Sequence, residues 1–275
     1  MTTHSDTVIP VHDLGIRCRV DGAAGASWIV FSNSLMTDLS LWDDQVAHLA
    51  SRFRILRYDH RGHGGSTVPP GACRFEDLTD DLIAVMDAHG IETATLVGVS
   101  MGGVTVLGAA ARYPARVARV MVCDCQPGST AASAAAWEER IGIAEAGGMA
   151  ALVEPTVARW LPPATVQADT PAVQRIRAMI AATPFQGFVQ ATRALQDYES
   201  SAQPAVLRCP AAFVAGVEDG TTPQAVRAMA AMCPGATVTI IEGAGHLPNI
   251  EQPVRFNAAL DALLAQPAAS RPTAS

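Results

Sequence analysis

The chain has 275 residues and a formal net charge of −7, and all 19 of its basic residues are arginine. An acidic chain without a basic block is a poor match for nucleic acid or an anionic membrane surface, and both are excluded as expected partners. Its hydrophobic fraction is 49%, much of it alanine, yet the apolar runs stop short of the about 18 residues that a membrane-spanning helix needs. The opening MTTHSDTVIP is polar and lacks the pattern of a secretory leader, so the expected location is the cytoplasm. Six cysteines, Cys18, Cys73, Cys123, Cys125, Cys209 and Cys233, follow neither a zinc spacing nor a dense disulfide framework. Reduced, mostly buried thiols are expected.

In chain order, VIPVHDLGIRCRVDG (8–22) reads as an antiparallel hairpin at one edge of a sheet. SWIVFSNS (27–34), FRILRYD (53–59), TATLVGV (93–99), VARVMVCDC (117–125), PAAFVAGVE (210–218) and ATVTIIEG (236–243) are short, β-branched and apolar. That pattern suits strands buried on both faces. Helix-length segments lie between them, such as FEDLTDDLIAVMDAHG (75–90), closed by Gly90 as a C-cap. The alternation predicts an α/β fold, with a mostly parallel eight-stranded sheet and helices on both faces. From 126 to 203 no convincing strand occurs, and a helical cap is expected there. The expected core is 1–125 together with 204–266, followed by a Pro/Ser/Ala-rich tail over 267–275 expected to be disordered.

The stretch LVGVSMGGVT (96–105) places Ser100 in a G-x-S-x-G pattern between a strand and a helix, the pattern of a nucleophile elbow. Small neighbours at Gly98, Gly102 and Gly103 allow the tight turn. The turn lifts the hydroxyl above the carboxyl edge of the sheet and aims helix N-terminal amides at a developing oxyanion. A serine needs a base, and the base needs an orienting carboxylate, in the chain order Ser, acid, His. Only His246 of the seven histidines follows the cap, in EGAGHLPNIEQP. His60 and His63, in DHRGHGGS, read instead as parts of a tight loop. Asp219 is favoured as the acid over Asp124, because a loop after the seventh strand faces a loop after the eighth, and Glu218 is expected to point away. Met101 and, by position, Leu35 are the expected N–H donors of the oxyanion hole.

Nearly the whole chain, from about Leu14 to Leu264, resembles the α/β-hydrolase superfamily. Within it SNSLMTDLSLWDDQVAHLASRFRILRYDHRGHGGS is similar to the 3-oxoadipate enol-lactone hydrolases of aromatic catabolism, as are GVSMGG, GHLPNIEQP and, in outline, the cap fragments ARWLPP and FVQATRALQDYES. Met36 departs from the glycine expected there, and ALQDYES matches only approximately.

The resemblance implies the α/β-hydrolase fold and a serine hydrolase that opens a lactone through an acyl-enzyme, with no metal or organic cofactor. Its partner would be a small-molecule lactone or ester, with homo-oligomerisation left open. A substrate carboxylate would need a local cation, with Arg159 and Arg193 as candidates ahead of Arg140. Trp137, Trp160 and Phe185 are candidates for an apolar lid, and Trp42 and Asp38 either shape the site or pin a helix. A carboxylesterase or perhydrolase on small neutral esters is the alternative, favoured if no cap arginine faces Ser100. A hydrolase-fold receptor is the third reading. Serine at the elbow disfavours a dehalogenase.

Overall fold

The computed structural model describes residues 6–269. Eight strands form one sheet: β1 (Thr7–Val11), β2 (Leu14–Gly22), β3 (Trp28–Ser32), β4 (Arg54–Tyr58), β5 (Ala94–Val99), β6 (Val117–Cys123), β7 (Ala211–Gly216) and β8 (Thr237–Ile241). Their spatial order is β1-β2-β4-β3-β5-β6-β7-β8. The β1–β2 hairpin joins β4 antiparallel, and the strands from β4 to β8 are parallel. Most strands are shorter by a residue or more than the ranges expected from the sequence, while β2 ends at Gly22 and β5 at Val99 as expected and β1 begins one residue earlier, at Thr7.

The strands alternate between two cores. Ile29, Phe31, Val97, Val99, Met121, Cys123, Ala212 and Val214 pack on one face. Val30, Leu56, Leu96, Val120, Val122 and Phe213 pack on the other. Successive residues of the central parallel strands are therefore mostly apolar, as a sheet covered on both sides requires. The first face is covered by α1 (Asp43–Leu49) and by a helix near the C-terminus, and the second by α2 (Phe75–Ala88) and α3 (Met101–Arg112).

Between β6 and β7 the chain leaves the sheet for five α-helices: α4 (Ala131–Gly147), α5 (Val153–Trp160), α6 (Pro163–Ala168), α7 (Pro171–Ala182) and α8 (Phe185–Gln196). They lie above the first core, to which Ile141, Val157, Trp160, Ile176 and Phe188 contribute. α9 (Thr222–Ala231), α10 (Pro248–Glu251) and α11 (Pro253–Leu264) complete the described helices. Gln266 C=O accepts from the Arg119 guanidinium, and Ala269 N–H donates to Ala118 C=O at 3.1 Å. The rest of the expected disordered tail, 270–275, lies outside the described residues.

The register sets the site. Ser32 is level with Gly98, Val99 with Cys123, and Gly216 with Ile241. The carboxyl ends of β3, β5, β6, β7 and β8 thus share one edge, and the loops leaving it carry Leu35, Ser100, Asp124, Asp219 and His246.

Candidate active site

Ser100 sits between β5 and α3 with φ 57° and ψ −118°, a conformation that L-residues adopt at a cost of order 1–3 kcal/mol. Two close approaches hold it there. A Cβ on Gly98 would lie 2.1 Å from Gly102 O, and one on Gly102 would lie 2.1 Å from Ser32 O. The glycines let α3 start directly against the ends of β5 and β3. The Ser100 N–H donates to Cys123 O at 2.8 Å, tying the turn to the neighbouring strand.

His246 follows β8 and presents Nδ1 to Asp219 Oδ2 at 2.9 Å, with each side chain 15% exposed. Burial acts to raise the Asp219 carboxyl, but His246, a bond from Thr222 and the charge of Arg159 together hold it below its ordinary value. Asp124, the competing acid, is fully buried with φ 45°. Its Oδ1 accepts from Gly216 N–H at 2.8 Å, and burial beside Asp219 and Glu251 pushes its carboxyl well above the usual range. The two carboxyls are thus shifted in opposite directions, Asp124 upward by burial and Asp219 downward by His246. Glu218 is exposed, consistent with a side chain directed away.

The Met101 N–H belongs to the first turn of α3, where helix amides have no intrahelical acceptor. Leu35 lies in the loop after β3, and its N–H takes no partner among the described residues. That loop is pinned from below. Trp42 is fully buried, stacks on Phe31 at 4.5 Å and donates from Nε1 to Asn33 Oδ1 at 2.9 Å, while Asn33 Nδ2 donates to Tyr58 O at 2.8 Å. Asp38 caps the short 3₁₀ turn Leu39–Trp42 through Ser40 N–H. Met36, in place of the glycine expected by resemblance, has φ 57° and is buried. The loop keeps the left-handed bend and uses the methionine side chain as core.

Ser100, His246, Asp219 and Leu35 line one cavity of about 360 Å³, with Trp137, Arg159 and Trp160 from the cap. Arg140 lies with its guanidinium 4.6 Å from the Trp137 ring centre, and burial and the neighbouring charge of Arg159 push its pKa down to about 10. Neither arginine has an ion-pair partner among the described residues. Arg193 is a correction to the sequence reading. It is bound to Glu138 and Gln196 at the surface and lines a separate cavity of about 450 Å³ behind α8, because its position turns it away from Ser100. Phe185 packs against the core without lining the site. His60 bonds Ser32 Oγ through Nε2, and His63 bonds Arg61 O through Nδ1. Burial pushes them down to about 3 and about 4, so both are neutral loop supports.

Sequence reasoning passed over Glu251. It lies on α10, five residues after His246, and its carboxylate accepts from the backbone on both sides of that histidine. The signal was an acid one helical turn after Pro248, a spacing that points back at the preceding loop.

A strained serine at a strand–helix turn, a carboxylate-bound histidine beside it and an eight-stranded sheet define a protein class, and the chain belongs to the alpha/beta hydrolase family, whose model matches residues 22–259. Its relatives narrow the class to hydrolysis of ester or lactone bonds. The chain is 29% identical to 3-oxoadipate enol-lactonase 2 of Acinetobacter baylyi over 262 residues, which cover 95% of this chain and 97% of that protein. The crystal structure of the enol-lactonase from Burkholderia xenovorans LB400 matches with a TM-score of 0.90 at 33% identity, over 94% of this chain and 100% of that one. A Caulobacter sp. (strain K31) protein with the provisional name carbamate hydrolase RutD is 28% identical, over 86% of this chain and 90% of its own length. Among the described residues no helix is long and apolar enough to cross a membrane.

Proposed function

We propose that the chain is a cytoplasmic serine hydrolase that opens an enol-lactone carrying a carboxylate, of the 3-oxoadipate enol-lactone kind, in aromatic catabolism. The observation that carries the reading is the arginine pair beside the Ser100 cavity. In a chain of net charge −7, Arg159 lines the cavity and Arg140 stands over Trp137, and neither is in an ion pair with a carboxylate among the described residues. A guanidinium free of internal ion pairs suits a substrate anion. The cavity volume suits a small ligand.

His246 takes the proton of Ser100 as Oγ attacks the lactone carbonyl, and the N–H groups of Leu35 and Met101 hold the oxyanion. Collapse breaks the ring C–O bond, and His246 returns the proton to the departing enol oxygen. The ring opens to an acyl-enzyme bearing an enol, which tautomerises to a ketone. A water deprotonated by His246 attacks the acyl carbon, Ser100 leaves with the proton, and the acid is released. Asp219 keeps the imidazole oriented and stabilises its cationic form.

An esterase acting on small neutral esters would have no use for a cation at the cavity, so Arg159 favours the anionic lactone. The test is the rate at which the purified protein consumes freshly generated 3-oxoadipate enol-lactone beside 4-nitrophenyl acetate, with Ser100→Ala as control. The expected result is a much higher kcat/KM on the lactone, abolished in the variant. Turnover of the activated ester alone would leave a serine hydrolase and remove the lactone assignment.

A further inference from the structure

Three successive peptide N–H groups around His246 are held from two directions. Gly245 N–H donates to both Glu251 oxygens at 3.0 Å, and Leu247 N–H donates to Glu251 Oε1 at 3.0 Å. Between them, His246 N–H donates to Trp160 O at 2.7 Å. Trp160 ends α5, where carbonyls lack intrahelical partners, and Pro162 and Pro163 prevent the helix from continuing. The bond from His246 satisfies one of those carbonyls. The Trp160 ring also stacks on the imidazole, with centres 5.5 Å apart and planes at 29°. The closeness is enforced: a Cβ on Gly245 would lie 2.2 Å from Trp160 O.

We propose that Glu251 is a positioning residue for the base, fixing the main chain on both sides of His246 so that Nδ1 meets Asp219 while the imidazole stays over the Ser100 cavity. This rests on the reading of His246 as the base. Hydrogen bonds from two N–H groups to a carboxylate are charge-assisted and directional, so they define the loop more tightly than apolar packing would. The position gives Glu251 no access to substrate, since it does not line the cavity. It acts through His246. The titratable groups facing it are His246, Asp219 and Asp124, two of them carboxyls. A second carboxylate beside the His–Asp pair is costly to bury, and the N–H bonds supply the compensating partners.

The experiment compares Glu251→Gln and Glu251→Ala with the wild type and with His246→Ala, using 4-nitrophenyl acetate and thermal melting. Glutamine keeps the shape but opposes its NH₂ to a peptide N–H, whereas alanine removes the bonds. Displacement of a catalytic group by about 1 Å can cost about 100-fold in rate. The expectation is a fall of that order in kcat for Glu251→Ala, a smaller fall for Glu251→Gln, and KM within about twofold of wild type. The Nδ1 proton resonance of His246 should shift or broaden in both, and Glu251→Gln should lose one ionisation from the acid limb of the kcat profile.

Wild-type kcat, pH profile and Nδ1 resonance in folded Glu251→Gln would overturn the proposal. So would activity restored in full simply by cooling to where a variant is folded, because the role would then be one of stability alone. If alanine unfolds the protein, the glutamine variant decides. Retained activity in His246→Ala would instead overturn the underlying reading of the base, whatever the Glu251 variants do.

Discussion

The carbonyl of Trp160, on the last residue of a cap helix, accepts a 2.7 Å hydrogen bond from the backbone N–H of His246 in the core. Cap and sheet therefore meet at the residue assigned as the base, through a main-chain bond as well as a ring stack.

Trp160→Phe keeps the carbonyl and most of the stacking surface, whereas Trp160→Ala removes the ring and leaves a cavity in a site only 3% exposed. The alanine variant should lose about 3–5 kcal/mol of stability, with the phenylalanine variant losing less. Urea denaturation measures this. A larger drop in kcat/KM for alanine than for phenylalanine, assayed well below both midpoints, is expected from the lost wall of the site.

The two acids at the ends of β6 and β7 should respond oppositely to amidation. Asp219→Asn should lower kcat by about 10⁴-fold, the order that follows when the histidine loses its carboxylate partner in Ser-His-Asp enzymes. Asp124→Asn should leave kcat within about threefold, since His246 bonds Asp219 instead, burial disfavours the charged form of Asp124, and asparagine keeps the oxygen that receives Gly216 N–H. Stopped-time assays of both variants on one ester make the comparison. A severe loss in Asp124→Asn would reassign the acid.

Stability should depend on pH through Glu251. Burial raises its carboxyl from 4.5 to about 7 despite the N–H bonds from Gly245 and Leu247. In that window the folded chain binds more protons than the unfolded one, so this group's contribution to stability is full below pH 4.5 and falls as pH rises toward 7. Asp124 has the same sign, and Asp219, held low, the opposite one. The slope of unfolding free energy between pH 5 and 7, about the window set by these shifts, should become more positive in Glu251→Gln than in wild type. Denaturation at several pH values reads the difference.

The arginines should separate anionic from neutral substrates. Arg159→Ala and Arg140→Ala should each raise KM for a carboxylate-bearing lactone by about 10-fold or more, the loss of one charge-assisted contact. The same variants should leave 4-nitrophenyl acetate within about twofold, and salt should weaken only the lactone reaction. Arg193→Ala, whose side chain is engaged with Glu138 outside the cavity, should change neither.

Much of the site is written locally. The strand residues of TATLVGV, the glycines around Ser100 and the helix after them specify an elbow within about ten positions, because a tight strand–helix turn is a short-range steric device. The apolar strands and the strandless interval from 126 to 203 likewise make the sheet and its helical insertion readable from periodicity. The order of Ser100, Asp219 and His246 follows from which loops leave the carboxyl edge.

The rest depends on packing between distant segments. Asp124 and Asp219 both follow strands, and only the full burial of one, which raises its carboxyl, and the 2.9 Å contact of the other with His246 separate them. Arg140 and Arg193 both lie on cap helices, and only the packed structure shows that one stands beside Trp137 near Arg159 while the other meets Glu138. Met36 adopts a left-handed bend because Trp42 and Asn33 hold the loop around it. Glu251 acquires its role when α10 folds back under His246. A sequence specifies the conformations available to each short segment. Side-chain direction, desolvation and charge proximity exist only after those segments are packed together.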